Sequence, residues 1–111
     1  MRIVVASRFF KTFIHPTYRA FAFYPWVFVR SADLSSNSQI VRHEQIHLAQ
    51  QRELGIILFY PIYVMEFLLR LIQTRRGYTA YRTISFEREA YGHDHEPDYL
   101  NERKWCAMWR R

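Results

Sequence analysis

"RHEQIHLAQQREL", Arg42 to Leu54, sets two histidines four residues apart with a glutamate directly after the first. Its reading decides both the fold and the chemistry. If the stretch is helical, positions i and i+4 share a face with Cβ atoms about 5–6 Å apart, and His43 and His47 can reach one ion. The pattern from Gln39 onward is helical: Ile40, His43, His47 and Gln50 recur at spacings of three and four, with Val41 and Leu48 on another face. The preceding polar loop, "SADLSSNSQ" (Ser31 to Gln39), supplies Ser and Asn as N-caps, and Gly55 ends or bends the helix.

Zinc takes four tetrahedral ligands, and a catalytic site gives three positions to the protein and the fourth to water. Glu44 lies one residue round from His43, so it misses the metal but borders the open position, where it can accept a proton from water. The competing reading is an ordinary polar helix whose histidines are solvated or packed in the core. So short a motif can arise by chance, and the decision turns on a third ligand. Three glutamates compete for it. Glu66 follows His47 by 19 residues, Glu87 by 40 and Glu89 by 42. Glu66 sits in an apolar helix, where an unpaired carboxylate is costly; its ordinary reading is a partner for Arg70, four residues on. Glu87 and Glu89 are two apart, so one helix cannot point both inward. Ala90 offers the small surface that lets such a helix approach closely.

"FEREA", Phe86 to Ala90, resembles the E-x-x-A-D element of the gluzincins, in particular the CAAX prenyl protease and membrane heat-shock protease family. The resemblance implies that Glu87 is the third zinc ligand, and a hydrophobic helical segment between the two motifs, similar to residues 54 to 73, is also a feature of that group. Tyr91 stands where the family has Asp, which leaves the support of the ligands open. The whole chain is also similar to a group of short, uncharacterised bacterial proteins carrying HE-x-I-H-x-x-Q-Q-x-E-L and then I-S-F-E-R-E-A-Y. That likeness implies a folded unit and no particular substrate. His93 and His95 read as solvated loop, with spare ligands or transition-state hydrogen-bond donors as the alternatives, and Tyr81 and Arg82 as candidate oxyanion stabilisers.

Outward from these motifs, the 111 residues suit a single domain, which the resemblance implies is a minimal zincin-like one. Residues 2 to 6 and 20 to 30, rich in β-branched and aromatic residues, read as strands, the second an edge or bulged strand because of Pro25. A long apolar helix follows Gly55, with Pro61 in its first turns or at a kink, and Gly77 closes it. A third helix runs from about Thr83 to Tyr91, and the tail ends in a short helix folded back on the core. The fold class is α+β, predominantly helical.

With half its residues apolar and 18 % aromatic, the chain is too hydrophobic for disorder and leaves apolar surface for a partner or lipid. The net charge is +6, and no acidic residue precedes Asp33, whereas Arg2, Arg8, Lys11, Arg19 and Arg30 are basic. This bias suits an anionic membrane surface; without a Lys/Arg-rich run or a recognisable module, nucleic acid is disfavoured. "LGIILFYPIYVM", Leu54 to Met65, is 12 residues long. A span needs about 20, so the segment reads as a buried or membrane-surface helix. No small-residue cleavage site follows "AFAFYPWVFV", which predicts a cytoplasmic chain that can sit against the inner face of the membrane. Cys106 is the single cysteine, excluding an internal disulfide and a thiolate-based zinc site. Lys104 and Arg110-Arg111 are weak activators for it, so it reads as a packed thiol.

Two functions follow. The first is a zinc-dependent hydrolase, most simply a metallopeptidase, with His43, His47 and Glu87 on Zn²⁺ and Glu44 activating water against a peptide or protein substrate. The second is a non-enzymatic membrane-surface or protein-interaction module with a structural or vestigial metal site.

Overall fold

The computed structural model describes residues 2–13 and 19–109; the Arg110-Arg111 pair lies outside them. The elements are β1 (Arg2–Val5), α1 (Ser7–Phe13), β2 (Ala20–Phe23), β3 (Trp26–Val29), a 3-10 turn (Ala32–Ser36), α2 (Ser38–Leu54), α3 (Ile56–Thr74), α4 (Gly77–Thr83), α5 (Ser85–His93), α6 (Tyr99–Glu102) and a 3-10 turn (Ala107–Trp109). The α+β, predominantly helical class read from the sequence is the one observed.

The sheet has three strands, not two, in the order β1-β3-β2, with β1 parallel and β2 antiparallel to the central β3. Residues 20 to 30 form a hairpin rather than one strand. Proline has no N–H for a ladder, and Pro25 sits in the turn after a cis Tyr24-Pro25 peptide. Alternation then sorts the side chains. Ala22, Val27 and Val29 face α2 and form a core with Leu34 and Leu48. Phe21 and Phe28 stack on each other at 4.9 Å between ring centroids, and Phe10 of α1 packs against Phe21 at 5.5 Å. The pattern gives no sign of α1, because one buried ring is too little to establish a helical period.

Helix α2 starts where the polar loop predicts it, with the Asn37 side chain accepting from the Ile40 N–H at 3.1 Å. It ends at Gly55, whose φ of 75° and ψ of 151° belong to glycine. That one residue turns the chain directly into α3. Pro61 is accommodated inside α3. The buried alternative for this helix is not what forms, since Phe59 is its only buried residue. Phe59 joins a second core with Ile84, Phe86 and Met108, against which Cys106 also packs.

Two boundaries differ from the sequence reading. α3 stops at Thr74, with Arg75 left-handed at φ 57°, and Gly77 opens α4 instead of closing α3. The third helix is α5, starting at Ser85 rather than Thr83, and α4 before it was not read from the sequence; the two are separated at Ile84, whose extended ψ of 138° sets α5 off on its own axis. Glu66 does not pair with Arg70. Its carboxylate accepts from the Ser85 N–H and hydroxyl, both at 2.8 Å, and so satisfies the exposed donors at the start of α5.

Since nothing lies within 4 Å of a Cβ placed on Gly55, the cost of a side chain there is torsional alone. Gly55→Ala is expected to lower the unfolding free energy by about 1–3 kcal/mol, measured by urea denaturation at unchanged m-value. An unchanged midpoint would show that the α2–α3 junction does not need this conformation.

Candidate metal centre

Helix α2 is held on one side by the sheet and on another by α5, so its polar face is buried rather than solvated. His43, Glu44, His47, Gln50 and Gln51 are all buried, as are Glu87 and Glu89 on α5. Ala90, fully buried, gives α5 the small surface that a close approach requires. One carboxylate crosses the gap. Glu87 Oε1 lies 3.1 Å from His43 Nε2 and 3.1 Å from His47 Nε2. One ligand atom from each of these three buried residues falls within 4.8 Å of the others. Around an ion with bonds of about 2.0 Å, tetrahedral ligands stand roughly 3.3 Å apart, so the two nitrogen–oxygen separations suit a shared ion.

The nitrogens are also aimed. The Gln50 amide donates to the Phe86 carbonyl and to Glu89 Oε1, each at 3.0 Å, which leaves Gln50 Oε1 facing His47 Nδ1 at 2.8 Å. His47 therefore carries a proton on Nδ1 and presents Nε2 to the centre. Asp94 Oδ2 does the same for His43 Nδ1 at 3.0 Å, while Asp94 Oδ1 is fixed by Gln39 at 3.0 Å. The second oxygen of Glu87 accepts from the Tyr63 hydroxyl at 2.6 Å. Each of the three residues is thus oriented from behind, the arrangement that sustains ligand basicity at metal sites.

The charges agree with the geometry. Burial works against a charged His47, yet Glu87 beside it raises the ring to about 9. Burial likewise opposes the Glu87 carboxylate, and the two imidazoles nonetheless hold it well below the usual carboxylate range. In the metal-free chain a proton is shared where a cation fits. Glu44, next to both rings, is raised above its ordinary value by burial, with His47 and His43 pulling the other way.

The remaining expected residues separate cleanly. Glu89 is not a ligand: it pairs with Arg103, which also grips Glu53 through bonds of 2.7 and 2.9 Å and so ties α2, α5 and the tail together. Glu66 caps α5, as described. His93 turns to Glu96 and stacks on Tyr99, and His95 is exposed; neither is a spare ligand. Tyr81 does reach the site. It lines both cavities that open on Glu44, its hydroxyl 2.9 Å from that of Tyr91. Arg82 lies over the Tyr91 ring at 3.7 Å. Tyr91, at the position where the resembled gluzincin element has Asp, packs edge-on against His43 at 4.4 Å, and support for that histidine comes from Asp94. Sequence reasoning gave no role to Asp94, Gln50 or Tyr63. Gln50 was legible from its place three residues after His47 on the same face, and Asp94 from its place two turns beyond Glu87.

Searches of protein-family models, curated proteins and solved structures found no match to this chain, so the site stands on its own chemistry. The orienting bonds supply a direct check. Gln50→Leu and Asp94→Asn are each expected to weaken divalent-metal binding by about 10–100-fold, measured by competition with a chromophoric chelator, with the helical circular dichroism retained. Unaltered affinity in both would show that the rings are not held by these partners.

Proposed function

We propose that this chain is a small zinc-dependent hydrolase acting on peptide bonds. The observation that carries the reading is the convergence of His43, His47 and Glu87 with Glu44 beside them at the meeting of two cavities. Two imidazoles and a carboxylate form a donor set that zinc accepts, and a three-residue set leaves a position open. The same trio also suits iron(II); the adjacent Glu44, which water activation calls for, favours zinc. The likeness of Glu87 to Ala90 to the gluzincin third-ligand element points the same way.

When bound there, zinc supplies a Lewis acid and acidifies water. The chain's own residues do the rest. Glu44 accepts the proton of the attacking water, whose oxygen bonds to the carbonyl carbon, and returns that proton to the departing amine as the C–N bond breaks. Asp94 and Gln50 keep the two imidazoles turned inward, and Tyr63 holds the carboxylate of Glu87. Tyr81 offers a hydroxyl beside the carbonyl oxygen on which negative charge develops. Glu44→Gln is expected to reduce cleavage by at least about 10²-fold while zinc stays bound, read by mass spectrometry of a peptide mixture incubated with each protein. Equal cleavage by the two would remove the hydrolase reading.

A second reading has its own observation. Ile57, Val64, Met65, Leu68, Leu69 and Ile72 of α3 are 50–86 % exposed, and their spacing puts them on one side of the helix. α3 is also the one helix among the described residues that is long and apolar enough to cross a membrane. Together with the basic N-terminal region, this face suits attachment to an anionic membrane surface, in a module whose metal site is structural. Flotation with anionic phospholipid vesicles is expected to carry the intact protein upward and to fail for the double variant Leu68→Glu, Ile72→Glu. Intact protein remaining at the bottom of the gradient would end this reading.

A further inference from the structure

Two cavities meet at the candidate centre, and they differ in chemistry. One, of about 360 Å³, is walled by Phe59, Tyr60, Tyr63 and Phe67 with His47 and Glu87 at its floor. The other, of about 480 Å³, is lined by Arg19, Asn37, Gln39, Arg82, Tyr91 and Asp94. Both include Ala20, His43, Glu44 and Tyr81. Neither Arg19 nor Arg82 has a carboxylate partner among the described residues. Asp94, the other carboxylate of that cavity besides Glu44, is committed to His43 and Gln39. The polar cavity therefore presents two guanidiniums that no described carboxylate pairs, Arg82 being held only over the Tyr91 ring.

Strand β2 lines both cavities, and the edge it leaves open among the described residues is short. In an antiparallel ladder, main-chain groups point alternately toward the partner and away from it. The Arg30 N–H donates to the Arg19 carbonyl, so Phe21 and Phe23 also face β3 while Ala20 and Ala22 turn their main chain outward. Gln51 closes one end of that edge. Its Nε2 donates to the Ala22 carbonyl at 2.9 Å and its Oε1 accepts from the Tyr24 N–H at 2.6 Å, and the Tyr60 hydroxyl donates to the same Ala22 carbonyl at 2.6 Å. Among the described residues, what remains for an added strand is the N–H and carbonyl of Ala20 and the N–H of Ala22. Ala20 is also the β2 residue shared by the two cavities.

We infer that the site takes a short extended peptide segment paired with Ala20, with an aromatic or large aliphatic side chain in the cavity under α3 and a carboxylate against Arg19 and Arg82. This inference rests on the peptidase reading and narrows it to a substrate class. The carboxylate has two sources, an Asp or Glu side chain or a free chain terminus.

The test uses zinc-loaded Glu44→Gln protein, so that ligands are bound but not consumed, and fluorescently labelled tetrapeptides read by anisotropy. The parent probe contains adjacent Phe and Asp with a C-terminal amide. Its Asp→Asn and Phe→Ala versions are each expected to bind about tenfold more weakly, with the Asp effect abolished by Arg82→Ala or Arg19→Ala, both at exposed positions. A Phe-Asn probe ending in a free acid distinguishes the two sources: recovery of tight binding assigns the site to chain termini, and no recovery assigns it to acidic side chains. Equal binding of parent, Asp→Asn and Phe→Ala probes overturns the inference. Wild-type cleavage of peptides irrespective of these residues, lost in Glu44→Gln, would overturn it while leaving the peptidase reading in place. Absence of both binding and cleavage would overturn the two together.

Discussion

A buried carboxylate is the constraint on which the molecule is built. Glu87 is 3 % exposed, and an ionised group taken from water to such a place costs several kcal/mol unless positive charge and hydrogen bonds meet it. The chain supplies both from separate elements: imidazoles from α2 and a phenol from α3. Satisfying one side chain therefore fixes the spacing of three helices. It also dictates details at the periphery. The break at Ile84 frees α5 to take its own direction, Gly55 lets α3 turn back at once after α2, and the Glu66 carboxylate anchors the first turn of α5 to α3.

Behind the centre runs a polar chain that reaches the tail. His47 is held by Gln50, Gln50 by Glu89, and Glu89 by Arg103, which also binds Glu53. No side-chain nitrogen or oxygen buried among the described residues lacks a hydrogen-bond partner. For a set of buried ionisable groups, that complete pairing is what lets the polar interior hold one arrangement. The same logic explains why the tail returns to the core: Arg103 and the Cys106 N–H both serve Glu53.

How much of this was legible in the sequence depends on whether an interaction is local. The α2 helix, its Asn cap and the stop at Gly55 follow from residues close together in the chain. The shared face of His43, His47 and Gln50 does as well, because the helical period places them there. The hairpin at Pro25 was half visible, as proline signals a broken strand without saying how the halves pair. Interactions between distant residues were not legible. Glu66 reads as an i,i+4 partner of Arg70, and only the fold brings it to Ser85. Glu87 and Glu89 are equivalent by composition; the rotation of α5 decides that one meets the imidazoles and the other Arg103. The exposure of α3 was hidden for another reason: an apolar helix has the same sequence whether its outer face meets protein, lipid or water.

The central claim is that His43, His47 and Glu87 together hold one metal ion, and elemental analysis of tag-free protein tests it most directly. The account predicts about one zinc per chain in the wild type and none in His47→Ala after excess metal is removed. Wild-type protein that retains no metal when zinc is supplied would contradict it, and the buried trio would then be an ion pair that holds α2 to α5.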